Sequence, residues 1–197
     1  MRTTTLLLLA LTGLPCHALQ AADVPHEQIG QVLTHPLFAE PYVCSEHADG
    51  ELPHLGDDLG QDCMIAAFDE AGTVSFPRLY RTDGSKNEDW FGWNRPVQSP
   101  CDCEVAATHV NPLTNQPGKP DPSRASSVIL KAADGTMFVV AHLQALAVTK
   151  GDRVKAGDPV GHVGNNGYAR APHVHIGAWR GPEALQIRWD QREMHVR

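Results

Sequence analysis

The sequence predicts a mainly β domain, an open antiparallel sheet rolled toward a barrel, with a small N-terminal extension and loop insertions. Three observations predict it. Gly 17 and Pro 15 punctuate a 197-residue chain that has few long segments of helical period. Residues 127–131 (Ser-Val-Ile-Leu-Lys) and 137–142 (Met-Phe-Val-Val-Ala-His) are runs of strand formers joined by the turn Asp134-Gly135, which makes a hairpin. Between Val148 and Gly161 valines recur among the turns Gly151-Asp152 and Gly157-Asp158, the rhythm of short strands in a rolled sheet.

The ends of the chain read differently. Met1-Arg2 followed by an apolar stretch around Leu6 to Leu9 is too short to span a bilayer comfortably and reads as a secretory signal peptide, residues 1–21, cleaved among the small residues Ala18 to Ala22. No later segment is apolar enough for a membrane span. The formal net charge is -7, and removing the leader takes away Arg2 and no acid, which makes it -8. An acidic protein of this kind is not expected to hold nucleic acid by neutralising phosphates. Composition says nothing about oligomeric state.

Along the chain, Ile29, Val32, Leu33 and Leu37 lie at roughly helical spacing and predict a short helix within 24–40. Residues 41–61 are polar, acidic and broken by glycine and proline, so they read as loop, with His47 and His54 in it. Residues 64–68 (Met-Ile-Ala-Ala-Phe) read as a buried strand ending at Asp69. Residues 70–93 are polar and turn-rich and carry Trp90, Phe91 and Trp93, aromatic anchors for a long inserted loop. Regular β structure resumes from Arg95. Residues 111–126, with four prolines, form a surface loop.

In the exported chain Cys44, Cys63, Cys101 and Cys103 remain, enough for two disulfides in an oxidising compartment. A direct Cys101–Cys103 bridge would close a tight loop, so each of these two is expected to reach back to Cys44 or Cys63.

The chemistry concentrates in 171–177, Ala-Pro-His-Val-His-Ile-Gly, which follows the Gly-rich run 160–167. Val174 and Ile176 alternate with His173 and His175, so the segment is a short strand with both imidazoles on one face, about 7 Å apart along the chain. One ring can ligate a metal while the other reaches a substrate or a water.

Ala141-His142-Leu143, then Lys150-Gly-Asp-Arg-Val-Lys-Ala-Gly157, then Val160-Gly-His-Val-Gly-Asn-Asn-Gly167, then Pro172-His-Val-His175 resemble, in order and spacing, the lysostaphin-like, LytM-type (β-lytic) zinc metallopeptidases of peptidase family M23. The resemblance runs from about Arg95 to Gly177. It implies a sheet-lined groove, one zinc per chain and hydrolysis of peptide bonds through a zinc-bound water, most often in peptidoglycan stem peptides or cross-links. It also implies that His175 ligates the metal while His173 and His142 stay unligated for catalysis.

The family's remaining ligands, a His and an Asp from an early motif, match less directly. The usual His four residues before the Asp would need a histidine where Ile65 stands if Asp69 is the acid. With a longer spacer Asp69 is the acid and His54 the upstream ligand, with His47 in reserve. This departure leaves open an alternative, a catalytically inactive LytM-type binding or regulatory module. The organisation that follows is a signal peptide at 1–21, an N-terminal extension at 22–60, a metallopeptidase domain at 61–182 and a C-terminal tail at 183–197. The export signal makes the expected location periplasmic or secreted, with peptidoglycan or peptide as the partner.

Overall fold

Runs of β-branched and aromatic residues bounded by glycine, proline and aspartate set the strands, and twelve of them form among residues 28–68 and 76–194, which a computed structural model describes. In chain order they are β1 (Gln31–Thr34), β2 (Tyr42–Glu46), β3 (Gln61–Ile65), β4 (Pro96–Gln98), β5 (Cys103–His109) and β6 (Ser127–Ala132). There follow β7 (Met137–Ala141), β8 (Leu143–Gln144), β9 (Arg153–Val154), β10 (Pro159–Val163), β11 (Val174–Arg180) and β12 (Glu183–Trp189). The helical content among these residues is a single 3-10 turn, Asn87–Asp89.

The strands build a curled, open half-barrel in the order β1-β12-β11-β7-β6-β5-β9, with β3 and then β2 branching from β11. A second sheet of order β4-β10-β8 packs beside it. β1 runs parallel to β12, and the other ladders are antiparallel. The mainly β expectation holds, and the 127–142 hairpin forms as β6 and β7.

β11 is the hub. One edge pairs with β7 along its length, while the other is shared between β3 at residues 174–176 and β12 at 178–180. A strand paired on both edges and covered on both faces is apolar throughout, and here Val174, Ile176 and Ala178 are fully buried beside the two histidines. Val105, Val128, Leu130, Phe138 and Val140 carry the core across the neighbouring strands.

Three local expectations are corrected. The helix within 24–40 is replaced by β1 over its described part: Val32 and Leu33 are better strand than helix formers, Pro36 blocks helix continuation, and β12 supplies a hydrogen-bonding partner. Residues 24–27 lie outside the described residues. The strand expected at 64–68 starts three residues earlier, and Phe68 is half exposed beyond its end. The disulfides are Cys44–Cys63 and Cys101–Cys103. Cys44 and Cys63 face each other directly in the β2–β3 ladder, whereas Cys103 lies on β5, whose neighbours are β6 and β9, so neither Cys101 nor Cys103 reaches back. Strands from the expected extension (β1, β2) and the expected tail (β12) also join the main sheet.

The aromatic insertion is a stapled loop. Trp90 donates its indole N–H to the Gly84 carbonyl (3.0 Å) and packs against Tyr80, while Arg81 stacks over Phe91.

Gly177 shows how closely the loop before β3 lies on β11. A Cβ built at Gly177 would stand 1.7 Å from the Gly56 carbonyl oxygen, a backbone atom with nowhere to go. Gly177→Ala is therefore expected to lower the unfolding free energy by about 1–3 kcal/mol, the usual range for overpacking, read by chemical denaturation.

Candidate metal centre and proton-transfer site

Strand register assembles the site. His175 on β11 stands directly opposite Asp62 on β3 and, on its other edge, opposite Ala141 at the end of β7. The next residue, His142, adopts φ +62, a left-handed conformation costly for a side chain with a Cβ. It turns the chain sharply after β7 and places its ring 4.5 Å from that of His173. His47 follows β2, and its amide donates to the Gly60 carbonyl (2.8 Å), so the β2–β3 hairpin carries its imidazole to a stacked position 5.4 Å from His175.

Four imidazoles thus surround one carboxylate, and each has one nitrogen tied to a backbone carbonyl. His47 Nδ1 bonds the Asp57 oxygen (2.9 Å), His142 Nδ1 the Asn166 oxygen (2.8 Å), His173 Nδ1 the Ala171 oxygen (2.7 Å) and His175 Nε2 the Gly56 oxygen (2.7 Å). A carbonyl only accepts, so in each case the ring N–H donates. In the neutral ring the other nitrogen carries the lone pair, and in the protonated ring it is a second donor.

For three of the rings that nitrogen meets Asp62, and two of these, with the carboxylate, form a ligand set. His47 Nε2 lies 3.6 Å from Asp62 Oδ2, and His175 Nδ1 lies 2.9 Å from Asp62 Oδ1. These spacings bracket the roughly 3.3 Å expected between donors bonded at about 2.0–2.1 Å to a tetrahedral zinc. Ligand atoms of His47, Asp62 and His175 all fall within 4.8 Å of one another. Two imidazoles and a carboxylate suit zinc, and outward N–H groups held by carbonyls are the support that ligating histidines need. The residues present fit the ion.

Electrostatics agree. Burial works against the Asp62 anion, but hydrogen bonds from His173 and His175 and their positive charge prevail and hold its carboxyl well below the usual range. Burial also disfavours the His175 cation, yet Asp62, the Gly56 carbonyl and Asp57 raise its pKa above the ordinary histidine value. The proton this favours on Nδ1 is the one a bound cation displaces. His142 goes the other way: burial first, then the neighbouring His173, lowers its pKa to about 3, so it is neutral at pH 7.

His142, His173 and His175 are therefore brought together as expected from the sequence. His173 Nε2 lies 3.6 Å from Asp62 Oδ1, within the same cluster. His54 is not brought in: it is exposed, and its backbone carbonyl accepts turn hydrogen bonds from Asp57 and Asp58. Asp69 lies outside the described residues. His162 sits half-buried on β10 between β4 and β8, and its Nδ1 finds no partner among the described residues. Asp62 was missed. Its signal was an aspartate, a poor strand former, beside Cys63 in a segment able to form a hairpin with Tyr42-Val-Cys-Ser-Glu46.

Asn166 positions His142 on several sides. Its own carbonyl takes the ring N–H, its Nδ2 donates to the Leu143 carbonyl (2.8 Å) and its Oδ1 accepts the Ser126 amide (2.7 Å). Asn166→Ala is expected to cost about 1–3 kcal/mol in stability, since it strips partners from buried backbone groups. It should also convert the His142 Nδ1–H from slowly to rapidly exchanging in nitrogen-15 NMR spectra.

The family model described as Peptidase family M23 matches residues 92–187, a segment that holds His142, His173 and His175. No curated protein matches the chain. Among solved structures it is similar to a mutant catalytic domain of the prophage-encoded M23 protein EnpA from Enterococcus faecalis, at 21% identity over 77% of this chain and 92% of that one, with a TM-score of 0.47. It is also similar to the catalytic domain of the antimicrobial peptidase lysostaphin from Staphylococcus simulans, at 20% identity over 70% and 79% of the two chains, TM-score 0.41. A zinc-containing peptidase from Vibrio cholerae shares 15% identity over 64% and 48%, TM-score 0.39. With the three histidines in the matched segment and the half-barrel built around them, residues 92–187 belong to peptidase family M23.

Proposed function

We propose that the protein is an exported, zinc-dependent endopeptidase that hydrolyses peptide bonds in peptidoglycan stem peptides or cross-links. The observation that carries this reading is the set of inward-facing imidazole lone pairs around Asp62, each ring fixed from behind by a backbone carbonyl. Family membership supports the peptidase reaction. The apolar leader and two disulfides support an exported protein.

His47 Nε2, Asp62 and His175 Nδ1 would hold the ion, in place of the His54 and Asp69 expected from the sequence. Zinc there supplies a Lewis acid that polarises the scissile carbonyl and brings the pKa of water to about 7. His173 and His142 perform the proton chemistry. With Nδ1–H committed to Ala171 and Asn166, each presents Nε2 as the free nitrogen. A neutral imidazole at that position accepts the proton of the attacking water and, once protonated, donates it to the leaving amine. Burial of His142 keeps it neutral and available as acceptor before the reaction. A protonated ring beside the scissile carbonyl also stabilises the developing oxyanion. The departure in the early motif, which left an inactive module open, is answered in this reading by His47 and Asp62 as the ligand pair.

The test is metal content per chain alongside digestion of purified peptidoglycan. Wild type should carry one zinc and release soluble fragments. His47→Ala, Asp62→Ala and His175→Ala should each lose stoichiometric zinc and activity, while His54→Ala keeps both. His173→Ala should keep zinc and lose activity by about 10²–10⁴-fold, the usual contribution of a general acid–base residue. Zinc lost from His54→Ala but retained by His47→Ala would overturn the ligand set. A zinc-loaded wild type that leaves peptidoglycan and peptides intact would overturn the enzyme.

A further inference from the structure

The two disulfides differ in the loop each closes and in the surface each adjoins. Cys44–Cys63 joins residues 19 apart, lies across the β2–β3 ladder and includes a fully buried Cys63. Cys101–Cys103 joins residues 2 apart around Asp102; Cys101 is partly buried, as Cys44 is, and Cys103 is buried. The stabilisation a bridge gives through the unfolded chain grows with the loop it closes, so the second contributes least to the fold.

Nor does the bend that carries it need the bridge. The Ser99 amide donates to the Asp158 carbonyl (2.7 Å), the Gly157 amide to the Ser99 carbonyl (3.0 Å) and the His35 amide to the Pro100 carbonyl (2.9 Å). Ser99 Oγ donates to the Cys101 carbonyl (2.8 Å), and the Ala156 amide donates to Asp102 Oδ1 (2.8 Å). These hydrogen bonds hold the backbone of the bend independently of the bridge. The bond also has access: Cys101 lines an open cavity of about 720 Å³, walled by Val32, Leu33 and Phe138 and separate from the histidine cluster. A bridge that closes a long loop is structural, whereas one that closes a minimal loop beside an open cavity is placed for exchange.

We propose that Cys101–Cys103 is a thiol–disulfide exchange centre that accepts two electrons from a dithiol presented at this cavity. A thiolate of the dithiol attacks Cys101 Sγ, forming a mixed disulfide, breaking the Cys101–Cys103 bond and releasing Cys103 as a thiolate that takes up a proton. The second thiol of the partner, as thiolate, then attacks its own sulfur in the mixed disulfide. The partner leaves oxidised, and Cys101, protonated in turn, is left as a thiol. The dithiol is oxidised to a disulfide and the Cys101–Cys103 bond is reduced, with no further reactant. This centre does not depend on the peptidase reading, because none of the residues involved belongs to the metal cluster.

The probe is dithiothreitol, titrated against the native, oxidised full-length mature protein. Thiols are trapped with N-ethylmaleimide and located by peptide mass spectrometry, oxidised dithiothreitol is quantified, and folding is followed by circular dichroism. Cys101 and Cys103 should be trapped at a dithiothreitol concentration at least tenfold below that which opens Cys44–Cys63. One oxidised dithiothreitol should form per chain and the fold should be retained. A Cys101→Ser, Cys103→Ser double variant should fold and form none in that range. The proposal is overturned if the two bridges open together, if Cys101–Cys103 opens only as the protein unfolds, if the double variant oxidises as much dithiothreitol as wild type, or if Cys101 and Cys103 are free thiols in protein recovered from an oxidising compartment.

Discussion

The position of Asp62 opposite His175 is the constraint on which the rest of the site depends. In an antiparallel ladder opposed side chains emerge on the same face and within reach of each other. Here that proximity is used to set a carboxylate 2.9 Å from an imidazole nitrogen in a half-buried setting. A slip of β3 by one residue would bring Gln61 or Cys63 opposite His175 and turn the carboxylate to the other face. The Cys44–Cys63 bridge opposes such a slip, because it fixes β2 and β3 in the register that also brings His47 beside Gly60. On the far edge of β11 the register with β7 sets Ala141 beside His175, and the left-handed turn at His142 does the rest.

Around this pair the protein solves a desolvation problem. Four imidazoles and an anion gathered in a partly buried space would be unfavourable if their polar atoms lacked partners. Backbone carbonyls of Gly56, Asp57, Asn166 and Ala171 meet that need at the rear of each ring, and in doing so they fix which nitrogen carries the proton in the neutral ring. Glycine makes the approach of one of these segments possible. The loop holding Gly56 lies so near β11 that Gly177 has no room for a side chain, and a Cβ at Gly60 would stand 2.7 Å from the His175 ring. Close packing of the loop and the orientation of His175 are one feature.

What could be read from the sequence was local. The β6–β7 hairpin, the valine rhythm of 148–161 and the paired histidines of β11 depend on residues near one another in the chain, and pattern reveals them. The expected helix at 24–40 failed because a short apolar segment takes its conformation from its partner, and β12, some 150 residues later, was not visible as one. Asp62 escaped the sequence reading, and His47 stood only in reserve behind His54, for a related reason. Their meeting follows from the β2–β3 pairing, and that pairing was hidden because residues 41–61 carry enough glycine and proline to read as continuous loop. The disulfides show the same limit in reverse. Spacing alone disfavoured a Cys101–Cys103 bridge, while strand topology leaves those cysteines no other partner among the bridges formed.

The division of the site along the chain has an energetic consequence. His142, His173 and His175 belong to the family-matched segment at 92–187, whereas His47 and Asp62 arrive on a hairpin outside it that contacts β11 along three residues. A hairpin with so short a ladder gains little from pairing alone. An ion bound by residues of both parts binds the folded arrangement and not the unfolded chain, so its binding free energy adds directly to the stability of the hairpin on the sheet. Under the proposed ligand set, metal occupancy and the seating of β2–β3 would be two views of one equilibrium. The Cys44–Cys63 bridge lowers the entropy of the unseated hairpin and so favours occupancy without touching the ion.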